Sequence, residues 1–204
     1  DINTGDQFAP DFLRISPNNR IPAIVDYDPA DGGDPVSVFE TGAILMYLAE
    51  KEGRFLPGPD EFRGRKSVME WLMWQMGGLG PMAGQAHHFR QSMGGEDVPY
   101  GVERYSNEVR RLYGVMDKRL TEAEWLGGDD YSIADMACWP WARSSRRQGV
   151  DKAELPSVKR WFDAMSARPG VQMGMELLAD KRGSKAMTPE SRDLLFGAGQ
   201  FERE

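Results

Sequence analysis

Asn18-Asn19-Arg20-Ile21-Pro22-Ala23-Ile24-Val25-Asp26, followed by Val38-Phe39-Glu40-Thr41-Gly42, is the stretch from which the fold is read. Residues 21–26 are apolar and β-branched, enough for a short strand. Pro22 has no N–H to give a ladder, so it belongs at the strand's start or edge. Residues 28–35 hold three Asp, two Pro and two Gly, the composition of a turn. Val36-Ser37-Val38-Phe39 supplies the second strand of a hairpin. From Thr41 the period changes. Ala43, Ile44, Tyr47 and Leu48 recur at helical spacing, and this helix is expected to stop near Gly53.

Upstream, residues 10–16 suit a short helix that ends before Pro17. Downstream, Leu56-Pro57-Gly58-Pro59 reads as a linker, and only helices are expected beyond it. Residues 62–76 form the first, with Val68, Leu72 and Met76 on one face, and Gly77-Gly78-Leu79-Gly80-Pro81 is expected to interrupt or kink it. Residues 102–120 carry one apolar stripe of Val102, Tyr105, Val109, Leu112, Met116 and Leu120. A further helix opens at Ser132 and runs to about Trp141, and another spans 156–167. Leu194-Leu195-Phe196 can dock an otherwise polar tail. The expected organisation is a small α/β domain over 1–55, a linker over 56–61, an all-helical domain over 62–180 and a tail over 181–204. Two antiparallel strands alone make a marginal sheet with open edges, so a further strand is expected upstream of Asp1.

The net charge is −7, from 32 acids against 25 bases. That argues against nonspecific binding of nucleic acid or an anionic membrane. No apolar run approaches the length of a membrane span, no signal peptide is visible, and a cytoplasmic compartment is expected. The single cysteine, Cys138, permits neither an internal disulfide nor a cysteine-rich zinc site. It sits in Met136-Ala137-Cys138-Trp139-Pro140-Trp141, an apolar setting in which a thiol is inert. His87 and His88 are adjacent, diverge by about 100° on a helix and chelate one metal poorly, so no metal is expected. Arg143, Arg146 and Arg147 read as a solvated face. The chain opens on Asp1 rather than Met, inside a loop-like stretch, which fits a processed start or a fragment.

The chemistry concentrates where the hairpin meets the helix. Thr41 can be the N-cap, leaving amides in the first turn that favour a carboxylate. Glu40 beside them can bind an amine. An amine and a carboxylate on one carbon describe an amino-acid head group, although the same two residues also read as ordinary capping. An Ile21-Pro22 bond in cis would turn the N–H and C=O of Ile21 outward, where a peptide backbone can pair with them. Arg20 can hold a second carboxylate. Ser132-Ile133-Ala134-Asp135 is a structural cap, with Ser132 as N-cap and Asp135 three residues on.

Asn19-Arg20-Ile21-Pro22-Ala23, Phe39-Glu40-Thr41-Gly42-Ala43-Ile44 and Tyr131-Ser132-Ile133-Ala134-Asp135 together resemble the cytosolic glutathione transferases. Gly5-Asp6-Gln7-Phe8, residues 71–82 from Trp71-Leu72-Met73-Trp74 to Gly80-Pro81-Met82, and Gly84-Gln85-Ala86-His87-His88-Phe89 narrow the likeness to the bacterial Nu class. Those proteins act as glutathione-dependent disulfide-bond oxidoreductases. The likeness runs from Asp1 to about Pro169. It implies a thioredoxin-like N-terminal domain, incomplete here, followed by an all-α C-terminal domain, and a homodimer. It further implies that Ile21-Pro22 is cis and pairs with the cysteinyl backbone of glutathione. Glu40 and Thr41 are implied to hold the γ-glutamyl end, with Arg20 and Gln7 near the tripeptide and Arg104 reaching the site from the helical domain. The family usually has Ser at the position of Thr41, a change that keeps hydroxyl and amide. The strand–helix–strand that carries a Thr and an Asn beside the glutathione sulfur is expected upstream of Asp1, so no catalytic residue is assigned within the chain.

The expected activity is reduction of small disulfides, with bound glutathione supplying the thiols. One buried cysteine cannot run a dithiol cycle by itself. Conjugation of glutathione to electrophiles is the second enzymatic reading. A non-catalytic glutathione-binding or interaction protein is the third.

Overall fold

The computed structural model describes residues 1–92, 98–181 and 188–201. Residues 182–187 and 202–204 of the expected tail lie outside the described residues. The chain divides into two compact units, one of residues 1–44 with those after 175, the other of residues 45–175.

In the first unit, Gly5 (φ 88°) turns the chain into a 3₁₀ turn at Asp6–Phe8, and helix α1 follows at Pro10–Ile15. Pro10 opens α1, where its missing N–H is one that no helix would pair. Strand β1 (Ala23–Asp26) pairs antiparallel with β2 (Val36–Phe39), in register Ala23↔Phe39 through Asp26↔Val36. The ladder starts at Ala23 rather than Ile21, since Pro22 has no amide proton to contribute. Asp26 and Asp31 close the intervening turn, accepting from the N–H of Asp28 and of Gly33 at 3.0 Å each. Helix α2 spans Thr41–Glu52. It ends as expected at Gly53, whose φ of 62° lets the Arg54 N–H reach the Ala49 carbonyl at 3.0 Å.

The second unit is helical. Helix α3 (Phe62–Trp74) passes into a π-helical turn at Gln75–Leu79, then α4 (Gly80–His87) and a second π-helical turn at His88–Ser92. The glycines at 77 and 78 therefore widen the helix instead of ending it. The wider turn takes up Pro81 without a clash against the preceding carbonyl. Helices α5 (Pro99–Glu122), α6 (Ile133–Arg143), α7 (Pro156–Ser166) and α8 (Pro169–Glu176) follow. The core sits among them. Val109, Leu112, Tyr113, Met116 and Leu120 of α5 are buried, together with Val68, Leu72, Leu79, Trp161 and Met165. Each such side chain contributes about 1.5–3 kcal/mol by leaving water.

Helix α6 is buried on almost every side, so its polar groups must be satisfied internally. Ser132 and Asp135 form the reciprocal cap at its start. The segment expected as a linker packs within the second unit. Leu56 is buried, the Ile133 N–H donates to the Phe55 carbonyl at 3.0 Å, and Arg65 donates to the Pro57 carbonyl at 3.0 Å. Helix α9 (Pro189–Phe196) and a 3₁₀ turn at Ala198–Gln200 belong to the first unit. No helix among the described residues is long and apolar enough to cross a membrane.

Candidate functional site

The loop between α1 and β1 is shaped from within. Ser16 is fully buried, and its hydroxyl donates to the Arg20 carbonyl at 2.7 Å. The Asn19 N–H donates to the Ser16 carbonyl, and Asn19 takes a left-handed φ of 48°. The chain then passes through a cis Ile21-Pro22 bond, as the resemblance implied. Ile21 precedes the ladder and is 63% exposed.

Residue 40 meets this loop from the other side. The Asn18 Nδ2 donates to Oε1 of Glu40 at 3.1 Å, joining residues 22 apart in sequence. Glu40 is exposed, with φ 71°. Its carbonyl accepts the Ile44 N–H at 2.9 Å, the first bond of α2. This corrects the expectation at Thr41. Glu40 is the flanking residue, and Thr41 is the first helical one. The turn into the helix needs a left-handed residue, and that backbone falls on Glu40. The amides of Thr41, Gly42 and Ala43 head a twelve-residue helix and have no intrahelical acceptor. A carboxylate there gains typically 0.3–1 kcal/mol from the helix dipole, about 2 at best.

Gln7 is 4% exposed, and neither its Oε1 nor its Nε2 has a partner among the described residues. A buried amide in that state costs about 1–3 kcal/mol unless another group satisfies it. Arg20 is exposed and donates from Nη1 to Oδ1 of Asn19 at 2.8 Å and from Nη2 to Oε1 of Gln200 at 2.7 Å. The first unit thus brings an acid, free helix amides, a cation held by neutral groups and an unsatisfied buried amide into one small domain. These are donors and acceptors of the kind that a peptide with acidic ends requires.

Arg104 belongs to the helical unit. It lies on α5 and lines a cavity of about 670 Å³ with Trp74, Met82, Glu108, Arg111 and Leu112. Arg111 forms a two-pronged pair with Glu108, at 2.9 and 2.7 Å, and holds that carboxyl below its usual range. Cys138 is completely buried in α6, and burial pushes its thiol well above the ordinary range. It supplies no thiolate near neutral pH. No three His, Cys, Asp or Glu side chains converge as metal ligands among the described residues.

Asn18, Ser16 and Gln200 are the site contributors that sequence reading passed over. Asn18 sits inside the quoted motif, yet nothing local tells that its partner is Glu40.

A hairpin led by a cis proline, a helix start beside it and a separate all-helical unit define a class of protein. The chain belongs to the glutathione S-transferases: residues 1–50 match the N-terminal domain of that family and residues 100–169 its C-terminal domain. The expected fold, a thioredoxin-like domain followed by a helical one, is the fold of this family. Disulfide-bond oxidoreductase YfcG of Escherichia coli strain K12 is 54% identical over 185 residues, which are 91% of this chain and 84% of that protein. A glutathione transferase from Burkholderia graminis, solved with two glutathione molecules per subunit, has a TM-score of 0.80 at 41% identity. The match covers 90% of this chain and 77% of that one. A glutathione transferase from Pseudomonas putida, solved with one glutathione disulfide per subunit, has a TM-score of 0.80 at 39% identity, over 87% and 78% of the two chains.

Proposed function

We propose that this protein binds glutathione and uses it to reduce small disulfides. The observation that carries the reading is the union of Asn18 and Glu40, which sets the cis-proline loop beside the start of α2. In this reading the backbone of Ile21 pairs with the cysteinyl unit, Glu40 holds the amine, and Thr41 with the first amides of α2 holds the γ-glutamyl carboxylate. Arg20 takes the second carboxylate, and Gln7 lends its buried amide. The thiolate of bound glutathione attacks one sulfur of the disulfide and expels the other as a thiolate that takes up a proton. A second glutathione then displaces the remaining substrate thiol, leaving glutathione disulfide. The chain's own residues bind and orient it, because its one thiol is buried and protonated.

Relatives named or solved as a disulfide-bond oxidoreductase and as a complex with glutathione disulfide support this reading over conjugation to electrophiles. The working unit proposed is a homodimer in the cytoplasm, and sedimentation would then report about twice 22.9 kDa.

Turnover of hydroxyethyl disulfide with glutathione is the test. Cys138→Ala is expected to leave that rate unchanged, and total loss of activity in the folded variant overturns the glutathione route. Chlorodinitrobenzene conjugation is expected to be much slower than disulfide reduction. Binding of glutathione without any turnover would leave a non-catalytic binding protein.

A further inference from the structure

Arg20 is held by two oxygens, and both are neutral. One is its neighbour Asn19, and the other is Gln200, 180 residues away. No carboxylate pairs with Arg20 among the described residues. The segment that delivers Gln200 is specifically built. Thr188 and Ser191 cap the start of α9 reciprocally, at 2.9 and 3.1 Å. At its end the Gly197 N–H donates to the Asp193 carbonyl at 2.9 Å, and the Gly199 N–H to the Asp193 carboxylate at 3.1 Å. A Cβ at either glycine would crowd the Asp193 carboxylate, so the two glycines let that side chain sit against the turn. The Gln200 N–H then closes on the Gly197 carbonyl at 3.3 Å.

We infer that Gln200 is a positioning residue for ligand binding at Arg20. The inference rests on the reading of Arg20 as part of the glutathione site. A guanidinium has five N–H donors. Two are committed here to amide oxygens, which orient the planar fork without neutralising it. Among the described residues nothing else pairs with the remaining donors, so these and the full positive charge can meet an incoming carboxylate. An acid at position 200 would act differently. A carboxylate would pair ion to ion with the guanidinium, cancel its charge and compete with the ligand's own carboxylate. An amide is thus the side chain that anchors the cation and leaves it attractive.

The experiment is calorimetric titration of the full chain with glutathione and with its glycyl ethyl ester, paired with disulfide-reduction kinetics. Arg20→Ala is expected to weaken glutathione binding about tenfold or more. Gln200→Ala is expected to weaken it roughly three- to tenfold, the worth of one hydrogen bond, and to raise KM for glutathione with kcat unchanged. Gln200→Glu is expected to weaken glutathione more than Gln200→Ala does, and this excess should disappear with the ester. Should Gln200→Ala bind as tightly as the native chain, or more tightly, while Arg20→Ala is weakened, the positioning role is overturned and the glutathione reading stands. Native affinity in Arg20→Ala overturns the reading of Arg20 and this inference with it.

Discussion

The side-chain amide of Asn18 donates to the carboxylate of Glu40 across 3.1 Å, and Glu40 holds that place with a left-handed backbone at φ 71°. Glutamate in this conformation costs about 1 kcal/mol relative to glycine. In the proposed reading, fold stability and ligand recognition therefore make opposite demands at this residue. Glu40→Gly is expected to leave urea-unfolding stability unchanged or raise it by up to about 1 kcal/mol. The same substitution should lower glutathione affinity about tenfold, through loss of a charge-assisted bond. Parallel losses of stability and affinity would mean that Glu40 serves the fold and not the ligand.

Thr41 tests the hydroxyl at the helix start. It is the first residue of α2, and a β-branched valine can take its place there. Thr41→Val is expected to weaken glutathione binding roughly five- to tenfold, about 1 kcal/mol for one hydrogen bond. Thr41→Ser should bind as the native chain does. Equal affinity for the valine variant would show that backbone amides alone hold the ligand.

Asp135 anchors the helical unit. It is fully buried, and its Oδ1 accepts the Leu126 N–H at 2.9 Å and the Trp161 indole N–H at 2.8 Å. Its Oδ2 accepts the N–H and hydroxyl of Ser132 at 3.0 and 3.1 Å. Burial raises its pKa, and these four donors oppose the rise. Asp135→Ala strands several buried donors together and is expected to cost about 3–5 kcal/mol by chemical denaturation. Trp161→Phe removes one donor and part of a buried ring, and should cost about 1–2 kcal/mol. A cost near zero for both would mean that the network contributes nothing to folding.

His87 is half-buried, and burial, followed by the charge of Arg147, lowers its pKa. Above about pH 6.5 the imidazole is neutral in both folded and unfolded chains, and it does not affect their balance. Below that pH the unfolded chain takes up a proton that the folded chain resists. Stability is therefore expected to fall as pH drops through about 6.5 towards the folded value. His87→Gln should flatten this limb below about pH 6.5 when unfolding is followed as a difference from the native chain. An unchanged difference curve across that window would count against the buried neutral imidazole.

Periodicity and punctuation made the elements legible before any coordinates. Pro22, the Asp-Gly turn at 28–35 and Gly53 mark where the hairpin and α2 begin and end, and these choices are local. Backbone propensity, hydrophobic period and missing amide protons act within a few residues, so a chain read in order reveals them. The two motifs of the proposed site were visible for the same reason, each being short.

Their joining was not visible, nor was the residue that takes the left-handed turn. Asn18 reaches Glu40 over 22 residues, Asp135 reaches Trp161 over 26, and Arg20 reaches Gln200 over 180. A hydrogen bond senses only distance and angle, and over such separations these are set by how whole elements pack. The sequence by itself determined the hairpin, α2 and the main helices up to α7, the chemistry of each motif and the family. Only the tertiary structure decided which neutral groups hold Arg20, that Glu40 and not Thr41 flanks α2, and that the glycine-rich helix before Pro81 continues through a widened turn.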